Sequence, residues 1–429
     1  MRRGSAWFWG TLVMMASLLC NPHWCNAAGF ALYEGSARGN ALGGTMVGRA
    51  NDPSALFYNP AGITQLPGLQ FMGGLTAIIP SVDVVTHYGG ATTTTSGETN
   101  VWTPPHAYIS YQASDNVWLG LGTFSQFGLG TEFDQNWPGR YNIYKAIVES
   151  LTINPNVALK LNDKLSVAAG IDIMWFDVEL CRKINASSLA GITLPDIDRK
   201  LEGDSFGYGF NLGLRYQPLD WLAFGLSYRS QVKQSLDGTA DFTKYGLANA
   251  SAFSKYFRDS DVSASITLPD MFFAGVVFMP SDRWSVEVGA TYTGWGCYDS
   301  LDVTYQIDPQ NLTSGAATYK DAKKWSSVWR YQIGAEYKAL DWLDLRAGYT
   351  FDESPIPDDY VDYMVPANDR HLFSVGSGMH WGGWTLDLSY SYLMIEDRDV
   401  SARLSSGVLD SDFENGNAHL IGMSVGYKF

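Results

Sequence analysis

The chain has 429 residues, more than one ordinary soluble domain needs but within reach of a single barrel. Charged residues are 17%, aromatics 14%, glycines number 44, and the formal charge is −15. The acidic balance excludes a nucleic-acid partner, because phosphate binding needs a basic surface. A mean hydropathy of −0.10 fits neither a bundle of membrane helices nor an ordinary acidic soluble protein.

Residues 1–27 read as a secretory signal. Arg2 and Arg3 form its positive start, residues 7–19 its apolar core, and Cys25-Asn26-Ala27 its cleavage site, which puts the mature start at Ala28. The apolar run is too short for a membrane anchor. A lipoprotein signal ending at Cys20 is a second reading, disfavoured by the bulky Leu19 before it. Cys181 and Cys297 remain in the mature chain, and the sequence leaves their pairing open.

Residues 28–67 do not alternate. They are rich in Gly, Ala and Asn but carry Phe30, Leu32, Phe57, Tyr58 and Ile63, which a solvated tail lacks. We read them as a compact hatch, or plug, ahead of the first strand.

From about residue 69 onward, segments of period two recur. Phe206, Tyr208, Phe210, Leu212, Leu214 and Tyr216 alternate with Gly207, Gly209, Asn211, Gly213 and Arg215. Residues 165–175, 284–293 and 384–392 repeat the pattern. One face suits lipid and the other a polar or crowded lumen. No later segment is a long apolar run, so a closed barrel is the remaining way to cross a bilayer. Short turns are expected at 114–116, 162–163, 218–220, 280–282, 340–341 and 382–383. Long loops are expected at 81–102, 128–149, 179–204, 237–262, 297–324, 353–370 and 396–416. The count is about fourteen strands, an even number as bacterial barrels require. The last strand ends on Phe429 and resembles the terminal signal read by the barrel-assembly machinery. The expected fold is all-β: a transmembrane antiparallel barrel, 68–429, with the hatch, 28–67, inside its lumen. It would sit in the bacterial outer membrane, among outer-membrane lipids, as a monomer.

Several motifs carry a family resemblance. They are Asn59-Pro60-Ala61, the stretch from Ser125-Gln126-Phe127-Gly128-Leu129 to Phe133, and Leu268-Pro269-Asp270-Met271. Phe351-Asp352-Glu353-Ser354-Pro355-Ile356-Pro357 and Pro366-Ala367-Asn368-Asp369-Arg370 complete the set. Together with the start Ala28-Gly29-Phe30 they resemble the FadL family of long-chain fatty acid transporters, which includes uptake channels for aromatic hydrocarbons. The resemblance implies a hydrophobic ligand; no cofactor is expected, and no Cys/His spacing suggests a metal site. It implies capture between outer loops, an inner pocket, and lateral exit beside a kinked third strand.

On that resemblance, Phe127, Gly128 and Leu129 form the kink, Asn59-Pro60-Ala61 fixes the hatch, and Phe30 borders the inner pocket. Phe30 reads either as a gate or as permanent packing. Phe242, Tyr245, Leu247, Phe253, Tyr256 and Phe257 crowd one outer loop, and Val178, Leu180, Ile184, Leu189 and Ile192 another. An exposed apolar patch marks binding; a loop packed on itself is the other reading. Arg182 falls where the family places a basic residue near the ligand head, or else makes a surface salt bridge. A second basic residue is replaced by Ser326, with Lys323 and Lys324 close by, which keeps the hydrocarbon reading open. An enzyme is disfavoured, because His87, His106, His371, His380 and His419 are scattered and none stands in a nucleophile motif. A general porin would lack the plug and conduct ions steadily.

Overall fold

A computed structural model describes residues 29–191, 193–246, 255–312 and 315–429. The expected signal at 1–27, Ala28, Ile192, Leu247, Phe253 and the side chain of Leu189 lie outside the described residues.

The chain folds as a closed antiparallel barrel of fourteen spanning strands. The first four are β1 (Leu69–Tyr88), β2 (Pro105–Ser114), β3 (Val117–Phe124, resuming at Leu129–Glu132) and β4 (Lys145–Asn162). Then come β5 (Leu165–Ile184), β6 (Ile197–Leu219) and β7 (Leu222–Arg229, then Val232–Lys244). The far wall holds β8 (Ser260–Leu268, then Met271–Ser281), β9 (Trp284–Thr293, then Ser300–Tyr305) and β10 (Ala317–Ala322, then Val328–Leu340). The last are β11 (Leu343–Asp352), β12 (Arg370–Trp381), β13 (Trp384–Ile395) and β14 (Asp410–Lys428). β1 pairs with β14 from Gln70↔Lys428 to His87↔Asp410, which closes the wall.

Burial follows the period-two pattern, inverted relative to a soluble sheet. On β6, Ser205, Asn211 and Arg215 are buried, while Phe206 and Tyr208 are 62% and 70% exposed. Such a surface is stable only against hydrocarbon. Two-residue turns join β2–β3, β4–β5, β6–β7, β8–β9, β10–β11 and β12–β13. Gly382 and Gly383 both take positive φ in the last of these, which suits a tight hairpin. Trp221, Trp284, Trp342, Trp381 and Trp384 are exposed beside these turns and form an aromatic belt at that interface.

The opposite, outer end differs from the sequence expectation. Strands run well into the stretches expected as loops: β5 reaches Ile184, β7 reaches Lys244, and β4 already starts at Lys145. Here Glu149, Asp177 and Asp204 stand opposite one another across β4, β5 and β6, with Asp237 of β7 next in register. Backbone pairing continues past the lipid zone, but the apolar face that made the strands readable stops.

Residues 29–67 pack within the wall. Two short helices, α1 (Ala37–Ala41) and α2 (Ala55–Tyr58), precede a 3-10 turn at Pro60–Gln65. Polar wall residues hold this segment. Glu287 of β9, fully buried, accepts the N–H groups of Val47, Gly48 and Arg49 at 2.8, 2.9 and 2.9 Å. Arg38 pairs with Glu336 at 2.8 Å, and Glu336 with Arg346 at 2.7 Å. Arg229, paired with Asp172 at 2.7 Å, donates to the carbonyls of Leu56 and Phe57. The Asn59 amide donates to the carbonyls of Val47 and Leu214, both at 2.9 Å, and its Oδ1 accepts from the Ala61 N–H. Pro60 follows at the first position of the 3-10 turn, where its missing donor costs nothing.

These contacts generate a prediction. Glu287→Ala strips three N–H groups of their acceptor and leaves Arg49 buried without its carboxylate, a loss of roughly 3–5 kcal/mol. Amide exchange at 47–49 should accelerate while the barrel strands stay protected. Exchange as slow as in the parent would contradict the anchoring role.

Candidate functional site

The wall has one break that the lumen segment fills. β3 pairs with β4 from Val117↔Leu159 to Phe124↔Thr152, and pairing resumes at Leu129↔Val148. Between these points, residues 125–128 oppose residues 149–151, and the ladder is lost. Ser150 substitutes for it. Its hydroxyl accepts the N–H groups of Phe127 at 2.9 Å and Gln126 at 3.3 Å, and donates to the Phe127 carbonyl at 2.7 Å.

The other edge of the break is paired by residues 30–32. The Gly128 N–H donates to the Phe30 carbonyl and the Leu32 N–H to the Gln126 carbonyl, both at 2.9 Å, with Ala31 opposite Phe127. Residues 30–32 thus act as a one-bridge strand laid against the break. Gly128 does not take positive φ. A methyl group at its position would meet only the tip of Leu32, at 2.9 Å. Glycine there provides room for the inserted strand rather than an unusual backbone bend.

Phe30 is buried, 6% exposed, in an aromatic cage. Its ring lies 4.7 Å from Trp295, 5.8 Å from Trp325, 6.1 Å from Phe127 and 6.2 Å from Tyr298, all edge-on. Trp295 and Trp325 sit in the interruptions of β9 and β10, where the regular in-out alternation lapses. Burial pushes the Tyr298 hydroxyl up to about 12, so it stays protonated.

Two cavities meet at Phe30. The larger, about 650 Å³, falls within the range of small-molecule sites. It is lined inside by Phe30, Phe127 and Leu129, and reaches the lipid-facing side chains Leu151 and Trp175. The smaller, about 40 Å³, is walled by Val178, Leu180, Leu236, Ile266 and Trp325. Phe30, Leu129, Val148 and Val365 border both. At the edge of the smaller cavity, Lys323 Nζ lies 2.5 Å from Asp362 and 2.9 Å from Asp321. Burial opposes the Lys323 charge, but the two carboxylates outweigh it and raise the ammonium above its ordinary value.

The structure separates the remaining candidates. Val178 and Leu180 lie in β5 and line the smaller cavity rather than an outer groove. Phe242 lies in β7, not in a loop, and is buried against Phe257 and Tyr305, at 5.8 and 6.4 Å. Tyr245 is 51% exposed at the outer end, with the Lys183 ammonium 5.4 Å over its ring. Arg182 stands opposite Arg199 across β5 and β6, and among the described residues neither forms an ion pair with a carboxylate. The surface salt bridge is therefore not formed among them, and neither arginine lines either of these two cavities. Ser150, Trp295 and Trp325 were not singled out from sequence. The two tryptophans had a readable signal, since each stands where strand alternation fails.

Comparison with known proteins agrees with this architecture. The model of the family described as outer membrane protein transport protein (OMPP1/FadL/TodX) matches residues 18–429. The chain is 25% identical to the long-chain fatty acid transport protein of Escherichia coli O6:H1 (strain CFT073), covering 97% of this chain and 98% of that protein. A Pseudomonas aeruginosa FadL homologue matches with a TM-score of 0.80 at 20% identity, covering 94% of this chain and 100% of that one. The P. putida toluene transporter TodX matches at 0.69 and 18% identity, covering 92% and 98%. These two likenesses show a shared fold.

The cage yields a direct test. Phe30→Ala removes a phenyl ring from a cage of aromatic side chains, leaving a space that a free aromatic ring can fill. Toluene should bind the variant more tightly than the parent, on the order of tenfold, with the barrel still assembled. Equal affinity would mean that the surroundings collapse onto the site.

Proposed function

The chain belongs to the OMPP1/FadL/TodX family of outer-membrane transport proteins, and on that premise we propose a cargo and a route. The cargo is a long-chain fatty acid or a similar hydrophobic compound, and the route ends sideways through the break in β3. The observation that carries this reading is the larger cavity, which runs from Phe30 in the lumen to Leu151 and Trp175 on the lipid side. Such cargo is nearly insoluble, so a relay of apolar sites serves it better than water; each buried CH₂ contributes about 0.8 kcal/mol.

In this reading Tyr245 belongs to the capture surface at the outer end, and Phe242 and Phe257 support it from beneath; Leu247 and Phe253, outside the described residues, are assigned to ligand capture on sequence alone. Arg182 with Arg199 attracts an acidic head group, a charge-assisted contact that a carboxylate accepts readily. The cargo passes to the inner cavities, where residues 28–67 act as a hatch. Asn59-Pro60-Ala61 holds the hatch to the wall, and Phe30 is its gate. Cargo competes with the Phe30 ring for the cage. Departure of residues 30–32 then uncovers the edge formed by Phe127, Gly128 and Leu129. Binding is coupled to opening because ligand and gate residue prefer the same site.

A second reading, uptake of monoaromatic hydrocarbons, is favoured by the cage itself, since the Phe30 side chain is a toluene-sized group already seated in it. Competition between oleate and toluene for the purified barrel separates the two.

The route has its own test. Replacing Phe127-Gly128-Leu129 with a regular alternating strand should close the wall. Oleate binding should persist while uptake into cells is lost, in a barrel whose assembly is verified by circular dichroism. Undiminished uptake in an assembled variant would place the exit elsewhere.

A further inference from the structure

The connection between β11 and β12 carries two of the sequence motifs, and the route just described leaves it without a role. This loop folds inward: Ile356, Val361, Tyr363, Val365 and Ala367 are buried. It borders both cavities, the larger through Pro366 and Ala367, the smaller through Ile356, Asp362 and Met364. Arg398 secures its two ends by donating to the carbonyls of Ile356 at 2.6 Å and Ala367 at 3.1 Å. Its middle is secured differently, by Asp362 on Lys323 at 2.5 Å.

That ion pair stands in unusual company. Lys323 and Asp362 are the charged residues lining the smaller cavity, whose other walls are mostly aliphatic and aromatic. Their side chains are 3% and 12% exposed. A buried ion pair gains little net stability over an apolar pair of the same shape, because both charges lose their water. An apolar chamber with one cation on its wall is, in contrast, the chemistry that accommodates an amphiphile. The Asp362 carboxylate presents to the Lys323 ammonium the same group that a fatty acid head would present. Asp321, 53% exposed on the other side, keeps the ammonium partnered when Asp362 leaves.

We propose that Asp362 is an internal stand-in for the cargo carboxylate: an acidic cargo displaces it from Lys323 and so frees the loop that walls both cavities. Acidic cargo then opens the inner chamber through charge, and neutral cargo lacks this lever. Asp362 thereby sets how strongly the chamber distinguishes an acid from its neutral analogue. The proposal rests on the reading that cargo passes through the inner cavities.

The test compares radiolabelled oleate with its methyl ester on the purified barrel in detergent, each variant first checked for assembly by circular dichroism. Asp362→Asn removes the competitor with little change of shape. Oleate should bind ~tenfold more tightly, the scale of one charge-assisted contact, while the ester is unaffected. Adding Lys323→Met to that variant should abolish the gain for oleate. A parallel response of acid and ester, or a gain that survives without Lys323, would overturn the proposal. If the parent barrel retains neither compound, the uptake route falls and this proposal with it. If the parent retains both and Asp362→Asn leaves oleate affinity unchanged, the role of Asp362 alone falls.

Discussion

Hydrocarbon offers no hydrogen-bond partner, so each backbone N–H and C=O of a lipid-facing wall must be satisfied from within the protein. Most neighbouring-strand contacts meet this by ladder pairing. The β3–β4 contact does not, because residues 125–128 leave the ladder. Two substitutes make up the shortfall, and they differ in kind. The Ser150 hydroxyl is part of the wall and cannot leave. The backbone of residues 30–32 comes from a separate segment laid against the break and is held to it by two hydrogen bonds.

The lumen segment accordingly has two differently held parts. Residues 38–61 are tied to the wall by Glu287, Glu336 and Arg229, and by the Asn59 amide, contacts that span several strands. Residues 30–32 are tied by two backbone bonds and by the Phe30 ring in its cage. On the proposed route cargo need not eject a plug. It would outcompete one aromatic side chain, and the population of an open state would rise only by as much as cargo prefers the vacated cage. The buried network below would then supply the rigidity against which a small movement at the tip registers.

Much of the architecture was legible because lipid makes the strands of this barrel apolar on the outside. Phe206 and Tyr208 advertise β6 so plainly because no soluble sheet would expose them, and two-residue turns such as Gly382-Gly383 bracket the strands at one end. The outer limits of the strands were not legible, since beyond the lipid zone side chains such as Glu149 and Asp204 carry no apolar alternation while the backbone still pairs. The same blind spot misplaced Val178 and Leu180, which looked like loop residues and instead wall an inner cavity. Asn59-Pro60-Ala61 showed its local turn in advance, but its bond to the Leu214 carbonyl depends on a partner 155 residues away. Ser150 was invisible for the same reason: nothing near it in sequence announces that its hydroxyl faces an unpaired stretch of β3.

The central claim is that residues 30–32 must part from residues 126–128 for cargo to leave. Ala31 and Phe127 face each other in the bridge, a spacing that a disulfide can span. The decisive measurement is oleate uptake by cells carrying Ala31→Cys and Phe127→Cys, with the free thiols Cys181 and Cys297 first replaced by Ser. Uptake should be blocked when the new pair is oxidised and return on reduction, relative to either single cysteine variant. Uptake that proceeds equally with the pair locked would contradict the account.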